Sequence, residues 1–259
     1  MRSLLSRLDA ALAPAPDPAR TEWLKEWTYA HRGLHGPGRV ENSPSAFRAA
    51  LDAGLGIECD IQRSRDGWPM VHHDWDLARL HGRAERGEDL TKDEWLALRY
   101  RDSDDAPFTL PDLLTLVDSR VPLLIEIKSR RGYDVERTSL RVGTCLREYP
   151  GRFAVMSFDP RVSRWFRKHE PAMVRGLVMR EDEHGHTQRA WQRHLALWIA
   201  QPDFVAYHVK ALPNAFAADM RGRGMPVLTW TVDSPAALAV ARAHADAPIA
   251  EGAGLPCPR

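Results

Sequence analysis

Eight short runs of β-type residues, separated by helical patterns whose starts are marked, constrain this chain more than any other feature. The runs cover residues 27–30, 56–61, 122–128, 153–157, 175–179, 204–207, 226–232 and 247–250. Strands joined through helices pair in parallel, because an antiparallel partner needs only a tight turn. Asn42-Ser43-Pro44 sets cap residues before a proline at a first helical turn, and Gly54 closes the helix that follows. Asp159-Pro160 and Ser234-Pro235 repeat the device, and Thr91 with Glu94 forms a capping box ahead of Trp95, Leu96 and Leu98. Eight strand–helix units within 259 residues predict a TIM (β/α)8 barrel. A doubly wound open sheet competes, but no glycine-rich dinucleotide turn follows the first strand.

The expected layout is an N-terminal arm at 1–20 that packs against a single barrel at 21–259. Alternating prolines predict a stiff extended stretch at 13–19. The second and third strands are about sixty residues apart, longer than an ordinary βα loop. This short insertion holds an extended piece at 70–72 and the small capped helix, and is expected to cover one rim of the barrel.

Composition removes some classes of function. Lys and Arg total 36 against 35 Asp and Glu, a formal charge of +1, which gives no reason to expect nucleic acid or an acidic membrane as the main partner. No run is long enough for a transmembrane helix. Leu4, Leu5, Leu8 and Leu12 are interrupted by Arg7 and Asp9, so a secretory apolar core is absent. The three cysteines, Cys59, Cys145 and Cys257, imply no disulfide framework. These features fit a cytoplasmic enzyme with a small-molecule substrate.

The chemistry concentrates on two strands. In Ile57-Glu58-Cys59-Asp60-Ile61, alternation sends Glu58 and Asp60 to one face and the apolar residues to the other. A surface strand could show the same alternation. On a barrel's inward face, however, two carboxylates repel unless something neutralises them, and a divalent cation is the simplest neutraliser. In Leu124-Ile125-Glu126-Ile127-Lys128 the same rule places Glu126 and Lys128 together. Three carboxylates from adjacent strands suit a hard cation: Mg²⁺ first, with Ca²⁺ or Mn²⁺ as alternatives. Lys128 adds a fixed positive charge where an anionic substrate would lie. His31 ends the first strand and His73 follows the extended piece, so two imidazoles are available as acid and base.

In order, His31-Arg32-Gly33, Glu41-Asn42-Ser43, Glu58-Cys59-Asp60, Asp66-Gly67, His73-Asp74 and Glu126-Ile127-Lys128 closely resemble the glycerophosphodiester phosphodiesterase family. Weaker similarity runs on through Ser157-Phe158-Asp159 and Thr229-Trp230-Thr231-Val232. The resemblance implies a TIM barrel with Glu58, Asp60 and Glu126 as metal ligands and His31 and His73 as the acid–base pair. It also implies that Arg32 and Lys128 bind phosphate and that Trp230 lines the substrate pocket. The implied reaction is hydrolysis of a glycerophosphodiester to glycerol 3-phosphate and an alcohol. Two departures stand out: Ser43 where the family usually has Thr, and Ile249-Ala250-Glu251-Gly252 where the last strand commonly ends in Thr-Asp-x-Pro.

Other features draw plainer readings. His72 is expected to point away from His73 and has no assigned role. His184-Gly185-His186 reads as a solvated loop, and Cys59 as a core residue facing the helices. Trp191, His194, Leu195 and Trp198 follow helical spacing and predict a buried face, with lipid contact by the tryptophans as the less favoured alternative. Competing functions are a lysophospholipase D-type enzyme on longer-chain substrates, a non-catalytic barrel binding a phosphorylated ligand, and a metal-assisted lyase. The ligand barrel is disfavoured because no histidine or carboxylate of the set is missing. The lyase is disfavoured because its ligands should come from three successive strands.

Overall fold

The computed structural model describes residues 4–182 and 187–255. Its strands are β1 (Tyr29–Ala30), β2 (Gly56–Arg63), β3 (Pro69–Val71), β4 (Leu123–Ile127), β5 (Phe153–Ser157), β6 (Val174–Met179), β7 (Phe204–His208), β8 (Val227–Val232) and β9 (Ala247–Ala250). They follow the order β1-β9-β8-β7-β6-β5-β4-β2-β3, and an added β1–β2 pairing closes the eight barrel strands into a TIM-type ring. Each of the eight expected runs overlaps one barrel strand. The ninth strand, β3, is the extended piece of the insertion. It pairs antiparallel with β2 through Ile61↔Val71, Gln62↔Met70 and Arg63↔Pro69. Gly67 takes φ 96° in the hairpin turn, a conformation a side chain would oppose.

Contacts divide the chain into two compact units, Ala30–Phe153 and Met1–Tyr29 with Ala154–Arg259. In the first unit, Ile57, Cys59 and Ile61 are fully buried, as strand alternation requires. The helix Pro44–Asp52 starts at Ser43, whose hydroxyl accepts from the Ala46 N–H at 3.3 Å, and Gly54 follows its end at φ 65°. In the insertion, the expected Thr91–Glu94 capping box opens the short helix Lys92–Leu96. That helix buries Trp95 among Met70, Leu77, Leu90 and Leu98, while the indole N–H donates to the Gly87 carbonyl at 2.7 Å. An aromatic anchor with a satisfied polar edge fixes the insertion onto the β2–β3 hairpin.

The second unit packs Leu177, Met179, Val205, Tyr207, Met220 and Val227 into a core with Leu197. Two expectations need correction there. Residues 13–19 are not extended throughout, because Asp17 caps a helical turn at Pro18–Thr21, its carboxylate accepting from the Ala19 N–H at 3.0 Å. Nor do Trp191 and Leu195 share a buried face: on the helix Ala190–Ala200 they are exposed, and Ala196, Leu197 and Ala200 face the core. His194 and Trp198 turn instead to buried Asp9, which accepts from the Trp198 indole at 2.8 Å and lies 2.9 Å from His194 Nδ1. The need to partner a buried carboxylate sets the rotation of this helix. His184 and His186 lie outside the described residues.

Candidate active site

β2 supplies the centre of the site. Its parallel register with β4 sets Asp60 beside Glu126 and Glu58 beside Leu124. The carboxylates of Glu58, Asp60 and Glu126 are all buried, and one oxygen from each lies within 4.8 Å of the others. Burial and the neighbouring Asp60 and Glu126 charges push the Glu58 carboxyl well above the usual carboxylate range. Burial acts the same way on Asp60, but Lys128, His73 and Arg32 outweigh it and hold that carboxyl below its usual range.

Two cations face this group. Lys128 follows β4 directly, its N–H donating to the Ile61 carbonyl at 2.9 Å. Its Nζ lies 2.9 Å from Glu126 and 3.4 Å from Asp60, and these carboxylates hold the ammonium above its ordinary range despite burial. Arg32 sits at φ 54° just after β1. Its backbone N–H donates to Glu58 at 3.0 Å, and its guanidinium lies 2.8 Å from Glu41 and 3.4 Å from Asp60. Glu41 consumes part of the Arg32 charge, so three carboxylates still exceed the two cations. An all-oxygen, anionic, buried cluster matches the donor set of a hard divalent ion.

The histidines border the cluster. His31 Nε2 is 4.0 Å from Glu58. His73 Nδ1 is 2.8 Å from Asp74, whose carboxylate also accepts from Arg79 at 2.6 Å. With Nδ1–H given to Asp74, the His73 nitrogen left to exchange a proton is Nε2. An open groove of about 690 Å³ passes over His73, Asp74, Trp75, Arg79 and Lys128. His72 turns away into the insertion, stacked on His81 with ring centroids 5.4 Å apart, and burial lowers its imidazole to a pKa of about 4.

Several contributors were not named as site residues from the sequence. Gln62 continues the Glu58–Asp60 face and donates to the His73 carbonyl at 2.9 Å and to the Asp74 carbonyl. Asn42, read as part of a helix cap and of the Glu41-Asn42-Ser43 motif but given no role in the site, donates to the Asp60 carboxylate at 2.9 Å and accepts from the Asp60 N–H at 3.2 Å. Glu41 joins Arg32 to Arg79, and Arg79 joins Glu41 to Asp74, so a continuous ionic chain connects Arg32 with the carboxylate that holds His73. Strand alternation could have marked Gln62; nothing local marks Arg79. Trp230 belongs to the second unit, on β8. Its indole N–H donates to the Ala206 carbonyl at 3.0 Å, with Phe158 edge-on and His208 alongside.

Fold and centre together define a parallel (β/α)8 barrel with a buried acidic cluster bordered by two imidazoles. Residues 31–249 match the model of the glycerophosphoryl diester phosphodiesterase family, and the chain belongs to that family of phosphoric diester hydrolases. A glycerophosphodiester phosphodiesterase from Caldanaerobacter subterraneus subsp. tengcongensis is 25% identical over 227 residues, 81% of this chain and 87% of the relative. Among solved structures, the Oleispira antarctica phosphodiesterase in complex with the product sn-glycerol-3-phosphate superimposes with TM-score 0.75 at 21% identity, covering 86% of this chain and 92% of the other. A glycerophosphodiester phosphodiesterase from Thermotoga maritima gives TM-score 0.70 at 23% identity, with 86% and 93% covered. No helix among the described residues is long and apolar enough to cross a membrane.

Proposed function

We propose that this chain hydrolyses glycerophosphodiesters to glycerol 3-phosphate and an alcohol, with one divalent cation held by Glu58, Asp60 and Glu126. The observation that carries this reading is the convergence of these three buried carboxylates beside Lys128 and between two histidine-bearing segments. A bound cation would supply charge neutralisation and Lewis-acid polarisation of the phosphate. Arg32 and Lys128 add fixed positive charge for the non-bridging oxygens, already oriented by Glu41, Glu126 and Asp60. Asp74 and the Gln62 amide hold His73 by its ring and backbone, so its Nε2 can move a proton without reorganisation. His31, beside Glu58, is the second proton carrier, and Trp230 is the candidate aromatic contact for substrate.

Metal-stripped protein should release no glycerol 3-phosphate from glycerophosphocholine, and restoring Mg²⁺, Ca²⁺ or Mn²⁺ separately should recover the reaction. Release that is indifferent to chelation would remove the carboxylate cluster from the mechanism. Inactivity with every ion, combined with turnover of lysophosphatidylcholine, would transfer the assignment to longer-chain substrates.

A further inference from the structure

The helix Leu4–Leu12 is mounted the reverse of an ordinary surface helix, which turns its apolar stripe to the core. Ser6, Asp9 and Ala13 face the protein and are buried. The Ser6 hydroxyl donates to Asp219 at 2.8 Å, and Asp9 meets His194 and Trp198. Leu4, Leu5, Leu8 and Leu12 are left facing outward, Leu4 at 75% exposure. The adjoining helix Ala190–Ala200 adds exposed Trp191, at 59%, and Leu195. Of the nine large hydrophobic side chains exposed among the described residues, six are on this pair of helices. Scattered exposed leucines need no explanation, but such a concentration does.

Charge identifies what would cover it. Asp9 is buried, so the exposed charges described on these helices and their caps are Arg7 and Arg189, both cationic. The chain as a whole is almost neutral, so this bias is local. A second copy would bring the same two cations and no exposed anion on these helices to pair with them. A surface with apolar depth beneath anionic headgroups accepts leucines, an interfacial tryptophan and arginines at once. We propose that the faces of Leu4–Leu12 and Ala190–Ala200 form a reversible docking surface for anionic phospholipid bilayers. The helix lies along the interface, with Leu4, Leu8 and Trp191 entering it and Arg7 and Arg189 at headgroup level. Ser6 and Asp9 keep it fastened to the protein while its leucines engage lipid.

The test is flotation of the full chain with vesicles of pure phosphatidylcholine and of phosphatidylcholine containing phosphatidylglycerol, at low and high salt. Binding is expected to the anionic vesicles, to weaken with salt, and to fall about tenfold or more in the Leu4→Glu/Leu8→Glu and Trp191→Glu variants. Unchanged circular dichroism and thermal midpoints would show that these exposed substitutions leave the fold intact. Arg7→Gln gives a second arm, expected to weaken anionic binding without altering the residual neutral binding. Absence of vesicle binding, or binding that none of these variants reduces, overturns the proposal. Light scattering that shows a dimer dissolved by the same variants, without vesicle binding, assigns the patch to a second copy and also overturns it.

Discussion

Two buried ionic clusters, one in each compact unit, are built from similar groups in opposite proportion. In the second unit a single carboxylate, Asp203, meets Arg175 and Arg20, each at 3.3 Å, and also accepts the Arg175 N–H at 3.1 Å. Burial still pushes the Asp203 carboxyl above its ordinary range, so even a partnered ion retains a cost for leaving water. In the first unit, Glu58, Asp60 and Glu126 share Lys128 and an Arg32 already engaged by Glu41. The first arrangement is complete within the protein; under the proposed function a bound cation completes the second. Buried charge is common to both, and its balance separates the structural pair from the proposed reaction centre.

Removing an anion should therefore have different consequences in the two places. The largest effect is expected for Glu126→Gln, a loss of about three to four decades in kcat/KM on glycerophosphocholine with weakened cation binding by calorimetry. A variant that binds and turns over normally would end the parallel between carboxylate excess and catalysis. His31→Ala and His73→Ala come next, each lowering turnover by about two to four decades while cation affinity stays unchanged. Near-normal turnover in either would strike that histidine from the mechanism.

Asp203→Ala should act only on stability. Leaving Arg175 buried without its partner is expected to cost about 3 kcal/mol in denaturant unfolding, with kcat on glycerophosphocholine intact. A parallel fall in kcat would break the contrast between the clusters. The smallest effect should be a gain. Glu58, raised above the usual range, binds its proton more tightly folded than unfolded, so its contribution is complete at low pH and is lost as pH rises through the raised value. Asp60, held below its range, has the opposite sign, its contribution being lost as pH falls. Glu58→Gln should thus stabilise the metal-free protein and flatten its decline as pH rises, read by denaturant unfolding across pH. Superimposable stability–pH curves for the two proteins would show that the repulsion is relieved in another way.

Much of the first unit could be read in advance because its signals are local. A two-residue period places Glu58 and Asp60 together whatever surrounds them, and cap residues announce their helices from one turn. Asn42 was opaque because its amide joins Asp60 only after the chain has folded across eighteen positions. Arg79 was opaque for the same reason, since Glu41 and Asp74 reach it from different segments. In the second unit, periodicity marked Trp191, His194, Leu195 and Trp198 as one helical face but not which way that face turns. That orientation depends on where buried Asp9 finds its partners, a long-range fact with no mark in the local pattern.

Glu58, Asp60 and Gln62 occupy successive same-side positions of β2, and Gln62 also fixes the backbone around His73. A one-residue insertion or deletion within that strand would reverse part of the row, separating the acidic pair from the tether of the imidazole. Length changes in the loops that follow the strands leave this frame intact, whereas a length change inside β2 would have to be matched by a second one to restore it.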